Sequence, residues 1–149
     1  MVKLKNKYFL VEICYTNNYD KVGEFDIVKA IRDQTQQLYG DVGLGTLNSS
    51  FHVKVCAGRK NIFVLKSGVE SADYVRTAIP FITLVGKSEC VVQLILEASS
   101  IRTIEKAVIK TTLNQLYAEL AVTVNIKDKE RIQQAIMDVT GENVERVRY

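Results

Sequence analysis

The chain has 149 residues, a formal net charge of +3, a hydrophobic share of 47% and a charged share of 25%. These ordinary values, with eight glycines and one proline, exclude a collagen-like or largely disordered protein. No apolar run is long enough to span a membrane, and the first residues match the pattern of a secretory signal poorly, so we expect none. We therefore expect an intracellular single domain over 1–149 with no membrane partner. Its core should cover about 7–120, and a C-terminal helix and tail about 121–149.

The first half of the chain predicts three strands and one helix. Residues 8–15 are apolar on both faces, which is typical of a central strand. A helix is predicted over 24–39, and the glycine-dotted residues 40–45 indicate its exit. A phosphate-binding glycine loop would instead follow a strand and open a helix. Residues 47–57 and 62–66 predict a hairpin of two strands.

The second half predicts one more strand and three helices. Residues 71–85 favour a helix with a kink at Pro80, and residues 91–96 a fourth strand. Helices are predicted over 101–120 and 128–140. The order βαββαβ with two further helices indicates an α+β fold, a ferredoxin-like or RNA-recognition-motif-like sandwich with additional C-terminal helices.

The residue types give little support to catalysis or metal binding by the chain itself. Cys14, Cys56 and Cys90 lie far apart without a Cys-x-x-Cys pair, so we expect them to be reduced and buried. His52 is the only histidine. On a shared strand it would lie about 13 Å from Cys56, too far to activate the thiol. The sequence therefore predicts no catalytic residue, no metal ligand and no cofactor bound by the protein.

Positive charge is clustered along the chain. Residues 1–10 and 46–68 hold seven Lys and Arg and no acidic residue, a distribution expected of a phosphate-binding surface. Arg102, Lys106 and Lys110 are four residues apart on the long predicted helix and form a second basic stripe. The alternative is that these side chains only keep strands and a helix face solvated.

Three stretches, in a fixed order, resemble one known family. They are the basic lead into an apolar strand over 1–13, Ala-Ile-Pro-Phe-Ile-Thr at 78–83, and Ile-Arg-Thr-Ile-Glu-Lys at 101–106. With their spacing, they make roughly residues 1–117 resemble the Pop-five type protein subunits of ribonuclease P and ribonuclease MRP. Where that family usually has Gly-Thr before the long helix, this chain has Ser99-Ser100.

The resemblance implies a non-catalytic subunit that binds and stabilises a catalytic RNA. The particle would remove 5′ leaders from precursor tRNA and process precursor rRNA, in the nucleus and nucleolus. Mg²⁺ is then expected on the RNA. The expected partners are that RNA, a TIM-barrel protein subunit and other particle proteins, with precursor tRNA met only indirectly. The residues expected to contact RNA phosphates are Lys3, Lys5, Lys7, Arg59, Lys60, Arg102, Lys106 and Lys110.

Two other functions are compatible with the residues. The chain could be a protein–protein scaffold of the particle with little direct RNA contact, or a small free-standing enzyme on a ferredoxin-like fold. The third predicted strand has one aromatic residue between 59 and 64 and no glycine. An RNA-recognition motif stacks bases on several aromatics there, so sequence-specific binding of single strands is weakly supported.

Overall fold

The structure, a computed structural model, describes residues 5–16, 22–55 and 61–141. Its elements are β1 (Asn6–Tyr15), α1 (Glu24–Asn48), β2 (His52–Val55), β3 (Ile62–Gly68), α2 (Val69–Ala78), a 3₁₀ turn (Ile79–Phe81), β4 (Leu84–Val85), β5 (Ser88–Ala98), α3 (Ile101–Val122) and α4 (Ile126–Gly141). The chain divides into two compact units, Met1–Ile104 and Glu105–Tyr149. Each unit is described by itself below.

The first unit contains a five-stranded antiparallel sheet in the order β2-β3-β1-β5-β4. β1 lies at the centre and pairs with β3 and β5. Phe9, Val11 and Ile13 are buried on one of its faces, and Leu10 is buried on the other. The predicted α+β fold and the predicted central first strand are therefore confirmed.

Helices α1 and α2 supply the other side of the main core. Ile31 of α1 and Val75 of α2 belong to the same buried cluster as Phe63 of β3. The rings of Tyr39 and Tyr74 also meet, with centroids 4.5 Å apart and planes tilted by 56°. A tilted aromatic pair adds to the stabilisation that buried area provides, and this one ties α1 to α2.

Gly40 ends the first helical segment, as predicted, but the prediction that the residues after it form a loop is wrong. Gly40 has φ +69° and ψ −159°, which kinks the chain, but α1 then continues to Asn48. The second segment is held because Leu47 is fully buried. Gly43 allows a close approach, since a Cβ there would lie 2.5 Å from that of Tyr39. The strand predicted over 47–57 is accordingly reduced to β2, and its last two residues lie outside the described chain.

The helix predicted over 71–85 also differs from the structure. It is shorter and begins earlier, over Val69–Ala78, with Gly68 at its N-cap. Pro80 lies in the 3₁₀ turn that follows, so it ends the helix instead of kinking it. This outcome follows from the missing N–H of proline. Gly86, with φ +62°, forms the turn between β4 and β5.

β5 is longer than predicted and contains an irregularity that changes which face its side chains occupy. Leu10 of β1 pairs with Leu96, whereas Val11 pairs with Leu94. Ile95 is therefore an extra residue, as in a β-bulge. Beyond it, Glu97 lies opposite Phe9 and so on the same face as the main core. β4 pairs only with Ser88 and Glu89, leaving the rest of the outer edge of β5 without a strand partner among the described residues.

The second unit consists of the remainder of α3 and of α4. Val108, Thr112 and Leu116 are its buried residues on α3, at the four-residue spacing of one helix face. α4 begins after Asn125, whose side-chain oxygen accepts a 3.0 Å hydrogen bond from the N–H of Lys127. Both helices were predicted within a few residues. No described helix is long and apolar enough to cross a membrane.

The kink in α1 predicts opposite effects for two glycine substitutions. Gly40→Ala should lower the free energy of unfolding by about 1–2 kcal/mol, because φ is positive there and disfavours an L side chain. Gly45→Ala, in the regular part of the helix with open space around it, should raise it by about 0.5–1 kcal/mol. Chemical denaturation measures both. Equal effects of the two variants would contradict the kink.

Candidate nucleic-acid interface

Five of the eight basic residues predicted to contact RNA lie in the described part of the chain. They are Lys5, Lys7, Arg102, Lys106 and Lys110, and all except Lys7 are exposed. The other three, Lys3, Arg59 and Lys60, lie outside the described residues. Of the five described residues, Lys5, Lys7 and Arg102 belong to the first unit, and Lys106 and Lys110 belong to the second unit.

The first unit also contains an ion-pair network that sequence reasoning did not predict. Arg76 of α2 donates to both carboxylate oxygens of Glu97 on β5, at 2.7 Å from Nε and 2.5 Å from Nη2. Its Nη1 donates to Asp73 at 2.6 Å. The hydrogen bonds that Arg76 donates to Glu97 hold the pKa of the Glu97 carboxyl below its usual range. The same bonds raise the pKa of the guanidinium. The network ties α2 to the sheet.

Lys7 lies near this network and makes one hydrogen bond to the protein, which leaves two of its three ammonium N–H groups for other contacts. Its Nζ donates a 2.8 Å hydrogen bond to Oγ of Ser99. Its charge also helps to hold the pKa of Glu97 down, after the hydrogen bonds and charge of Arg76. The resembled family usually has glycine at the position of Ser99. A glycine has no side chain to accept this hydrogen bond, so the Lys7–Ser99 bond depends on the serine of this chain.

Lys106 and Lys110 offer a different environment. Both are exposed on α3, one helical turn apart, in the second unit. The rise between them is about 6 Å, and their side chains lie on the same side of the helix. Two exposed ammonium groups so placed suit contacts with neighbouring phosphates of one strand.

Lys5 lines an open cavity of about 730 Å³ at the edge of the sheet. Lys66 and His52 line it as well, and neither was among the residues predicted to bind RNA. Lys66 belongs to the basic segment 46–68, so the sequence did indicate positive charge at this position. The cavity itself could not be predicted, because its walls come from separate parts of the chain.

The sheet does not offer an aromatic platform for stacking bases. Phe63, the one aromatic residue of β3, is fully buried in the main core. On the other face of the sheet, Leu10, Ile62 and Val64 are fully buried, so its centre is closed. Among the described residues, this arrangement gives no support to the sequence-specific mode of RNA-recognition motifs.

The cysteines differ from one another in burial. Cys90 is buried, as predicted, whereas Cys14 is exposed, so that prediction is wrong for Cys14. Cys14 lies opposite Val91 near the end of the sheet, away from the closed centre of that face. Cys56 lies outside the described residues. In the part of the chain that the structure describes, no three His, Cys, Asp or Glu side chains are grouped to hold a metal ion.

Comparison with known proteins gives one consistent result. The family model described as the Rpp14/Pop5 family matches residues 7–109, which is more than half of the chain. A curated protein of Arabidopsis thaliana, described as a probable ribonuclease P/MRP protein subunit POP5, is 25% identical over 152 residues. That match covers 97% of this chain and 90% of the plant protein.

A solved structure shows the same fold. A chain in the cryo-EM structure of yeast ribonuclease MRP is similar with a TM-score of 0.50 and 11% sequence identity. The match covers 95% of each chain.

The Arg76–Glu97 pair predicts a pH-dependent contribution to stability. Glu97→Gln should lower the free energy of unfolding by roughly 0.5–1 kcal/mol at pH 7, a modest value because Arg76 is nearly half exposed. The pKa of Glu97 is lowered in the folded state, so the contribution is complete above about pH 5 and is lost as the pH falls through the folded pKa.

Denaturation at several pH values measures this effect. Glu89→Gln, which removes an exposed carboxylate from the same strand, is the control and should change stability little. If Glu97→Gln lowers the free energy of unfolding by the same amount in acid as at pH 7, the Arg76–Glu97 pair does not stabilise the fold through its charge.

Proposed function

Because the chain belongs to the Rpp14/Pop5 family, we propose that it is a protein subunit of a ribonuclease P/MRP ribonucleoprotein and that it binds and stabilises the RNA of that particle. The family match over residues 7–109 is the observation that carries this proposal. It covers the whole sheet and the beginning of α3, and therefore includes Lys7, Arg102 and Lys106.

The exposed basic side chains support direct RNA binding. Lys5, Arg102, Lys106 and Lys110 are exposed, and a lysine or arginine that meets a phosphate releases counterions and gains affinity. Lys7 and Arg76 act differently, since both are bound to protein groups. We assign the first group to phosphate contacts and the second to holding the surface in shape.

In this role the chain supplies no catalytic group. The RNA, with its Mg²⁺, performs the cleavage that removes 5′ leaders from precursor tRNA or processes precursor rRNA. The protein neutralises phosphates that would otherwise repel one another. It acts in the nucleus and nucleolus beside a TIM-barrel subunit and other proteins of the particle.

A second role, as a protein–protein scaffold of the particle, is favoured by apolar side chains in the second unit. Val122, Val124 and Ile126 lie around the turn between α3 and α4 and are 79%, 91% and 73% exposed. Tyr117 is exposed one turn earlier on α3. Exposed apolar residues grouped in this way mark a surface for a protein partner. The two roles are compatible, because the basic and apolar residues are different.

The proposal is tested by purifying the tagged chain from its own cells. We expect a structured RNA to co-purify, together with magnesium-dependent cleavage of precursor tRNA or precursor rRNA that nuclease treatment abolishes. Recovery of protein partners without RNA and without cleavage would overturn the RNA-binding role and leave the scaffold.

The contribution of α3 is tested by the double variant Lys106→Gln, Lys110→Gln. Each phosphate contact is worth roughly fivefold in affinity at 0.15 M salt, so the RNA Kd should rise roughly tenfold or more. The slope of log K against log salt should become shallower by about 1–2. The matched control is Lys127→Gln, Lys129→Gln, which removes two exposed lysines from α4. Equal weakening by both pairs would reduce the effect to net charge and contradict the assignment.

A further inference from the structure

The cavity beside Lys5 is built from chain segments that are distant in sequence. It lies in the first unit, where β1 and β2 begin and β3 ends, and its volume of about 730 Å³ is typical of a small-ligand site. The lining side chains on which the argument depends are Lys5, Thr46, Ser49, His52, Lys66 and Glu70.

Hydrogen bonds hold the walls of this cavity in place. Oγ of Ser50 accepts a 3.0 Å bond from the N–H of Gly68, and Oγ of Ser71 donates to the carbonyl of Gly68 at 3.2 Å. The N–H of Val69 donates to the carbonyl of Lys5 at 3.2 Å, which fixes the backbone from which that lysine projects. A Cβ at Gly68 would lie 2.9 Å from Oγ of Ser50, so glycine permits this close approach. The site is therefore largely preformed.

Two cations and an imidazole ring line the cavity. His52 lies directly opposite Lys66 across the β2–β3 pair, so the two side chains are on the same face of the sheet. Lys5 lines the same space from the beginning of β1. Ammonium groups bind phosphate, and an imidazole ring beside them can stack on a base.

The cavity lining also presents hydrogen-bond acceptors. The hydroxyl of Thr46 donates to the backbone carbonyl of Val42 at 2.9 Å, and the hydroxyl of Ser49 donates to the backbone carbonyl of Thr46 at 3.0 Å. Because both hydroxyl protons are used in these bonds, the two hydroxyl oxygens can act as hydrogen-bond acceptors toward a ligand. The Glu70 carboxylate is a further acceptor at the rim. A ligand that fits must combine an anion with several donors.

We propose that this cavity binds one unpaired ribonucleotide of RNA. The phosphate meets Lys5 and Lys66, the base lies against His52, and the 2′-hydroxyl and base N–H groups donate to Thr46, Ser49 and Glu70. An acidic peptide fits less well, because it has no base to lie against His52. The inference rests on the proposed function, because it names the part of the RNA that this end of the sheet holds.

The test uses the full chain and a labelled single-stranded oligouridylate of eight nucleotides, with binding followed by fluorescence anisotropy. Lys66→Gln and Lys5→Gln should each raise the Kd roughly fivefold and reduce the salt slope by about 0.7. His52→Ala should raise the Kd about fivefold or more at an unchanged salt slope, because it removes stacking. Wild-type protein should bind the ribose oligomer more tightly than its deoxyribose counterpart.

Lys87→Gln is the matched control, since this exposed lysine lies in the β4–β5 turn at the opposite end of the sheet and should leave binding unchanged. Thermal unfolding of every variant establishes that it is folded. If the cavity variants bind like wild type while the Lys106, Lys110 pair still weakens RNA binding, the cavity inference is wrong and the proposed function stands. If oligoglutamate displaces the oligonucleotide at equal concentration, the site is for acidic protein and the inference is also overturned.

Discussion

β1 is hydrogen-bonded along both of its edges and buried on both of its faces, and this double constraint positions the rest of the first unit. A shift of its register by one residue would exchange the side chains of the two faces, so the register is strongly specified. That register places Asn6 opposite Gly68 and Tyr8 opposite Ala98. The beginning of β1, with Lys5, therefore lies at the edge where β3 turns into α2. The candidate site follows from strand pairing.

The basic residues of the chain fall into two physical groups. Arg76 and Lys7 are held by hydrogen bonds to Glu97 and Ser99, and removing either would disturb the surface around it. The lysines that are exposed keep their ammonium groups in solvent, where a phosphate can displace counterions. The bulge in β5 determines the position of Glu97. It turns Glu97 toward α2, where it meets Arg76, and thereby gives that side of the sheet an anchored charge pair.

Local patterns predicted β1, β3 and α3, because each has a regular apolar period that burial then satisfies. The end of the first helical segment at Gly40 was predicted, but the second segment up to Asn48 was not, since it depends on the burial of Leu47 by residues distant in sequence. Charge clustering indicated the basic segments of the candidate site but not which cations are bound by protein groups. The Lys7–Ser99 bond spans 92 residues, and the walls of the cavity likewise come from several segments. Such contacts have no local signal.

The outer edge of β5 has a consequence for the life of the chain before assembly. Residues 91–96 read Val-Val-Gln-Leu-Ile-Leu, without charge or proline, and Val91 and Ile95 are exposed. Among the described residues, this stretch has no strand partner on its outer edge. A strand of this composition with such an edge is a template for another copy of itself, and a segment of six such residues is long enough to nucleate cross-β stacking. In newly made chains, binding to a partner therefore competes with self-association through this edge. The concentration of unassembled chain determines which of the two processes dominates.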